Sequence, residues 1–343
     1  MHLGAKPDAG KSYSEARGAE IWNTFAKVID VCETQEIDLL LIAGDLFHRQ
    51  PLLRELKEVN YLFSKLTRTK VVFIAGNHDY MKWNSYYRTF QWNANVYPLL
   101  GDQLEAAEFP QLETCIYGFS YYQKEIRENK YRTAKPWGKQ KYEILLAHGG
   151  DESHIPVKRE ELNTLGYDYI AMGHIHKPGE IEENKIRYSG ALEPIDKNDT
   201  GVHGYIYGEI KNDTLKTKFI PFALREYVHM EIKVEEYMTV AQIRETIKQK
   251  IEEKGEQNIF KIILNGFTDL DEEFLFSGID VFDNVIEIIS NVKPAYKLEK
   301  LKEQNQNNLL GRYIESLENS EPDSIEYQAL YIGVEALLET KRG

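Results

Sequence analysis

Six of the nine histidines of this 343-residue chain fall in five short segments, each placed just after an apolar run. They are Met1-His2-Leu3-Gly4, Gly44-Asp45-Leu46-Phe47-His48, Gly76-Asn77-His78-Asp79, His148-Gly149-Gly150 and Gly173-His174-Ile175-His176. Imidazole and oxygen donors arriving from the ends of several strands suit a pair of Mn, Fe or Zn ions. Such pairs stabilise the attacking and leaving oxygens of a phosphoryl displacement. The chemistry implied is that of a phosphoesterase. A lone histidine is usually an ordinary core or surface residue, so the weight rests on the concentration at strand ends. His154, His203 and His229 lie outside that pattern and are read as structural.

The elements that must position these segments alternate between strand and helix. Ser14 can cap a helix whose apolar residues Ile21, Phe25, Val28, Ile29 and Cys32 recur at helical spacing. Ile37 to Ala43 is an aliphatic run of strand length ending at Gly44-Asp45. Lys70 to Ala75 repeats the arrangement before Gly76-Asn77-His78-Asp79, after a helical segment around Leu53 to Leu66. Leu112 to Phe119, Tyr142 to Ala147 and Tyr167 to Met172 continue the series, and the last two open into histidine-bearing loops. The ligands therefore gather at the carboxyl edge of a sheet, where loops converge on rigid supports.

Farther on, Gly204 to Ile210 and Leu215 to Ile220 read as a hairpin with Asn212-Asp213 at its turn, expected to close the catalytic sheet. A second unit follows: a strand from Tyr227 to Val234, a helix from Val240 to Lys254, and strands at Ile259 to Leu264 and Val285 to Ile289. Residues 295–343 carry two amphipathic helical patterns broken at Pro322-Asp323. The expected domains are 1–225, 226–294 as a small α+β cap, and 295–343 as a helical C-terminal segment.

With 42% hydrophobic residues a real core is available. The two cysteines, Cys32 and Cys115, sit in apolar patterns, which suits a reducing cytoplasm and argues against a disulfide framework or a thiolate metal site. No stretch approaches the roughly 20 apolar residues needed to span a bilayer, so the expectation is a cytoplasmic protein with no membrane partner. The net charge of −13 argues against a grip on nucleic acid over the whole surface. Residues 227–343 hold 23 acidic and 13 basic side chains, net −10, leaving net −3 for residues 1–226. That first part has room for a local basic surface. Lys124, Arg127, Lys130, Arg132, Lys135, Lys139 and Lys141, interleaved with Tyr121, Tyr122, Tyr131 and Trp137, read either as a solvated loop or as one that tracks phosphates.

Five ordered motifs of this kind resemble the calcineurin-like metallophosphoesterases over roughly residues 1–220. The forms Gly44-Asp45-Leu46-Phe47-His48 and Gly76-Asn77-His78-Asp79 are similar to the DNA-repair nuclease branch, the bacterial SbcD and YhaO type. The resemblance implies an α/β fold: a β-sandwich flanked by helices, with the α+β cap and helical tail appended. It makes Asp45 a bridging carboxylate, with His2 and His176 on one metal and Asn77, His148 and His174 on the other. His78 would stabilise the transition state or protonate the leaving oxygen, and His48 would lie beside the scissile strand. The cofactor implied is two divalent ions, Mn first, with Fe or Zn as alternatives. The partners implied are DNA, an SMC-like ATPase docked on the C-terminal helices, and a second copy of the chain.

In the family's first motif, D-x-H follows a buried strand, and Met1 stands at the x position. The expectation is an upstream strand ending in aspartate. Without it the His2 site should be the weaker of the two, because a chain end frays. The leading reading is a Mn-dependent DNA exonuclease or endonuclease acting in repair. The alternatives are a small-molecule or nucleotide phosphodiesterase and a metal-poor protein that binds DNA or an ATPase.

Overall fold

The structure, a computed structural model, describes residues 1–269, 278–321 and 324–340; the helix break expected at Pro322-Asp323 lies outside them. The catalytic region is built from α1 (Ser14–Thr34), β1 (Leu39–Ala43), α2 (Leu53–Ser64), β2 (Lys70–Ile74), β3 (Val96–Pro98), β4 (Glu105–Phe109), β5 (Thr114–Gly118), β6 (Tyr142–His148), α3 (Arg159–Asn163), β7 (Tyr169–Gly173), β8 (Gly179–Glu182), β9 (Ile186–Tyr188), β10 (Gly204–Lys211) and β11 (Thr214–Pro221). One sheet has the order β1-β2-β3 and is parallel. A six-stranded sheet has the order β4-β5-β6-β7-β9-β8, with β5, β6, β7 and β9 parallel and β4 and β8 antiparallel at its edges.

Strand alternation explains why the two sheets face each other. Val72 and Ile74 of β2 pack with Ile116, Ile144, Leu146 and Tyr169 of the larger sheet. The opposite faces are apolar too. Val71 and Phe73 pack with Ile21, Phe25 and Ile29 of α1 and Leu56, Val59 and Phe63 of α2. Cys115, Tyr117, Leu145, Ala147, Ile170 and Met172 pack with Leu162 of α3 and with Tyr121, Ile126 and Tyr131. The result is the expected sandwich flanked by helices. Continuous burial on both faces is why these strands read as unbroken apolar runs.

Three expectations are corrected. Ser14 is the first helical residue rather than the cap; Tyr13 caps α1, and the Ser14 hydroxyl donates to the Pro7 carbonyl at 2.7 Å. The β10–β11 hairpin turns at Asn212 and Asp213, both at positive φ, as a tight hairpin requires. Among the described residues it forms its own two-stranded sheet, however, and extends neither sheet of the sandwich. The aromatic residues Tyr121 and Tyr131 are core residues, not part of an exposed basic stretch. A cavity of 720 Å³ runs along β1, lined by Leu39–Asp45, by the hairpin and by His2, His174 and His176. Among the described residues β1 has a strand partner on one side only, β2.

Beyond the sandwich, β12 (Tyr227–Val234), β13 (Ile259–Thr268) and β14 (Val285–Pro294) form a three-stranded sheet with α4 (Val240–Lys254) in the same stretch of chain. The helices α5 (Leu298–Gln304), α6 (Leu309–Leu317) and α7 (Ile325–Glu339) follow. Leu310, Ile314, Leu330 and Val334 form their shared core. By packing, the chain divides into one unit of Met1–Met230, Ile251–Lys261 and Asp280–Glu287 and another of Glu231–Lys250, Ile262–Ile279 and Ile288–Gly343. No helix is long and apolar enough to cross a membrane among the described residues.

Candidate metal centre

The site sits where β1, β2, β6 and β7 end. Asp45, two residues past β1, is 3% exposed and lies at its centre. Its Oδ1 accepts the His78 N–H at 2.9 Å, and its main-chain oxygen accepts the His2 N–H at 2.9 Å. Asp45, His2 and His174 have φ of 49°, 58° and 89°, a region that side chains enter only at a cost of about 1–3 kcal/mol each. Surrounding contacts hold them there. Gly76 is required for space, because a Cβ on it would lie 2.2 Å from Asp45 Oδ1.

His148, the last residue of β6, is fully buried and clamped through its backbone. Its N–H donates to the Tyr131 hydroxyl at 2.7 Å, and its carbonyl accepts the hydroxyls of Tyr121 and Tyr131 at 3.1 Å each. In the ring, Nδ1 lies 2.8 Å from the Ala43 carbonyl, which can only accept, so Nδ1 carries a proton. Neutral Nε2 then directs a lone pair at Asn77 Oδ1, 2.9 Å away, with Asp45 Oδ2 at 3.4 Å. His174 Nδ1 is 3.1 Å from the same Asn77 oxygen, while its Nε2 lies 2.6 Å from Asp151 Oδ2.

Four acceptors thus converge with no donor among them when both rings are neutral. That arrangement is unfavourable unless a cation sits between them, and two ligands about 2.1 Å from one ion stand about 3–3.5 Å apart. The residues fit a divalent ion. The electrostatics show a site that draws in positive charge: burial disfavours charge on His148, but the Asp45 carboxylate outweighs it and raises the His148 pKa, so this ring favours a positive charge at Nε2 that a proton or a metal cation can supply. Burial likewise pushes the Asp45 carboxyl up, and His148 outweighs this to hold it well below the usual range. Burial, with His148 beside it, brings His174 down to about 4, so it presents a neutral ring.

On the other side of Asp45, His2 Nε2 lies 3.8 Å from Asp45 Oδ2, and the His2 and His176 ring centroids are 4.7 Å apart. His2 is 2% exposed and held by backbone bonds, so the expected fraying is not seen. His2, His48 and His78 also bring ring nitrogens within 4.8 Å of one another. His48 stacks on His78 at 4.9 Å, and His78 Nδ1 donates to the His48 carbonyl at 2.9 Å. His176 Nδ1 lies 2.9 Å from Asp199 Oδ2.

All eight residues singled out by sequence therefore meet in one place. Three acidic residues were given no role by the sequence reading. Asp79 is fully buried and joins two of the loops: it accepts the Phe47 N–H at 3.1 Å, the Gly76 N–H at 2.8 Å and the Tyr87 hydroxyl at 2.8 Å. Burial and the nearby Asp45 push its pKa up to about 6. Asp151 and Asp199 lie in polar loops with no motif to mark them. His154, set aside by its position, has its ring centroid 4.5 Å from that of His174.

A β-sandwich carrying strand-end carboxylate, amide and imidazole donors around one buried aspartate defines a metallophosphoesterase-type protein. Residues 2–178 match the calcineurin-like phosphoesterase family model, and the chain belongs to that family. It is 28% identical over 266 residues to the metallophosphoesterase YhaO of Bacillus subtilis, covering 71% of this chain and 64% of YhaO. It is 24% identical over 266 residues to the SbcD component of the nuclease SbcCD of Staphylococcus saprophyticus, covering 68% of this chain and 69% of that protein. It is 22% identical over 319 residues to the DNA double-strand break repair protein Mre11 of Sulfolobus acidocaldarius, covering 84% and 81%.

Proposed function

We propose that the chain is a metal-dependent phosphodiester hydrolase that cleaves DNA, with Mn as the preferred ion and a role in DNA repair. The observation that carries the metal reading is the convergence of Asp45 Oδ2, Asn77 Oδ1, His148 Nε2 and His174 Nδ1. The names of the SbcCD and Mre11 relatives support the choice of DNA. Asn77, His148 and His174 would hold one ion, His2 and His176 the other, and Asp45 both. Bound there, divalent ions polarise a phosphate and lower the pKa of water. The chain's own residues do the rest. Asp45 fixes the spacing between the two groups of ligands, and its Oδ1 bond to the His78 N–H aligns that loop with the site. With Nδ1 tied to the His48 carbonyl, His78 can hand a proton from Nε2 to the leaving oxygen. His48, stacked on it, lines the approach of the strand.

A helical tail with Leu309, Ile325 and Ile332 exposed supports docking of an ATPase partner or a second copy of the chain. The test is hydrolysis of single-stranded DNA and of bis-p-nitrophenyl phosphate by chelator-treated protein, before and after Mn is added. Activity on both, absent before and restored by Mn, is expected. Cleavage of the small diester alone would overturn the DNA assignment, and activity that survives chelation would overturn the metal assignment.

A further inference from the structure

A histidine binds a metal well only if its other ring nitrogen is held, because that bond fixes the tautomer and the plane of the ring. For His148 the holder is the Ala43 carbonyl. For the two histidines of the last motif it is a carboxylate from elsewhere in the chain. His174 Nε2 lies 2.6 Å from Asp151 Oδ2, and His176 Nδ1 lies 2.9 Å from Asp199 Oδ2. Carboxylates accept, so each ring donates there and keeps its lone pair on the opposite nitrogen. The pairing is therefore opposite in sense: His174 presents Nδ1, the atom near Asn77, and His176 presents Nε2.

We propose that Asp151 and Asp199 are positioning residues, each setting the tautomer of one histidine and so governing one ion of the pair; this rests on the two-metal reading above. Neither carboxylate hangs free. Asp151 Oδ1 also accepts the Ser153 and His154 N–H groups at 2.8 and 3.0 Å and His154 Nδ1 at 2.9 Å. Asp199 Oδ2 also accepts the Ile195 and Asp196 N–H groups at 3.1 and 3.2 Å. Both are thus built into turns that set their direction before any ion arrives.

Asp151, His154 and His174 could alternatively hold a cation of their own, since their donor atoms lie within 4.8 Å of one another. That reading would need both nitrogens of His174 to ligate at once, leaving a doubly deprotonated ring. The positioning role needs only the neutral form.

The experiment compares the full chain with Asp151→Asn, which keeps Oδ1 for its turn and replaces the oxygen facing His174, and with Asp199→Ala, because the Oδ2 that accepts in the Asp199 turn is the same oxygen that faces His176. Mn binding is followed by calorimetry, and ring tautomers by long-range proton–nitrogen NMR of the metal-free protein. The expected spectrum shows His174 protonated at Nε2 and His176 at Nδ1, each variant disturbing only its own histidine. Each variant should weaken one of two Mn ions by roughly 10- to 100-fold and leave the other unchanged. Unaltered tautomers, or equal weakening of both ions by either variant, would overturn the proposal. So would a third Mn lost in His154→Ala, which would make Asp151 a ligand. If the parent binds no Mn, the two-metal reading fails, and the tautomer spectra alone decide the positioning claim.

Discussion

Within the centre, His78 and Asn77 are neighbours whose side chains meet different partners. Asn77 turns its oxygen to two histidines, while His78 is fixed through Nδ1 to the His48 carbonyl, and the proposed action on substrate falls to its Nε2. His78→Ser should lower the cleavage rate by roughly 10²-fold or more and leave Mn affinity within a few-fold. Single-turnover cleavage with parallel Mn titration checks this, and loss of Mn would reassign His78 as a ligand. The six histidines, Asp45 and Asn77 were legible because a short motif beside a strand end is visible in one dimension. Asp151 and Asp199 were not, since each meets its histidine 23 positions away through folded loops. A single aspartate in a polar loop has no spacing to betray it.

At the level of elements, close approach of strand ends sets the geometry. A methyl at Gly76 would fall 2.2 Å from Asp45 Oδ1 and 2.6 Å from Asp45 N, both of which are held in place. Gly76→Ala should cost about 1–3 kcal/mol of stability and weaken both ions together; denaturant melts and Mn titration measure the two effects. The first helix has its own tether. Glu20 bonds Arg17 at 2.6 Å and Arg225 at 2.7 Å, and Arg17, fully buried, also donates to the Pro194 carbonyl at 2.7 Å in the segment leading to Asp199. Burial pushes the Glu20 carboxyl up, but Arg225 and Arg17 outweigh this and hold it below its usual value. Its contribution is therefore complete above the unfolded pKa of about 4.3 and is lost as pH falls through the lower folded value. Glu20→Gln should cost roughly 1–3 kcal/mol at pH 7. The gap from the parent should close as pH drops below about 4, as melts across that range will show. The strands β2, β6 and β7 were readable because burial on both faces leaves an unbroken apolar run. The short edge strands Val96–Pro98 and Gly179–Glu182 were not, because three or four residues are too few to carry a period.

Across the whole molecule, charge is divided unevenly. Residues 227–343 carry net −10 and the remaining 226 residues net −3, so electrostatic repulsion of the proposed DNA substrate is weaker in the part that carries the histidines. Several cations of that part are already engaged: Lys139 with Glu108, Lys141 with Asp213, and Lys130 over the rings of Phe119 and Tyr122. The sandwich could be anticipated from the resemblance, but the separate hairpin sheet could not, since strand pairing across a long gap leaves no local mark. One carboxylate, Asp45, stands between the two groups of ligands, and both proposed ions depend on it. The most direct measurement is therefore calorimetric Mn titration of the parent and of Asp45→Ala, with DNA cleavage followed in the same samples. Two Mn ions in the parent, loss of both in the variant, and cleavage reduced to background while the fold persists are the expected results. An Asp45→Ala protein that still binds two Mn ions and cleaves DNA at the parent rate would contradict the bridging role.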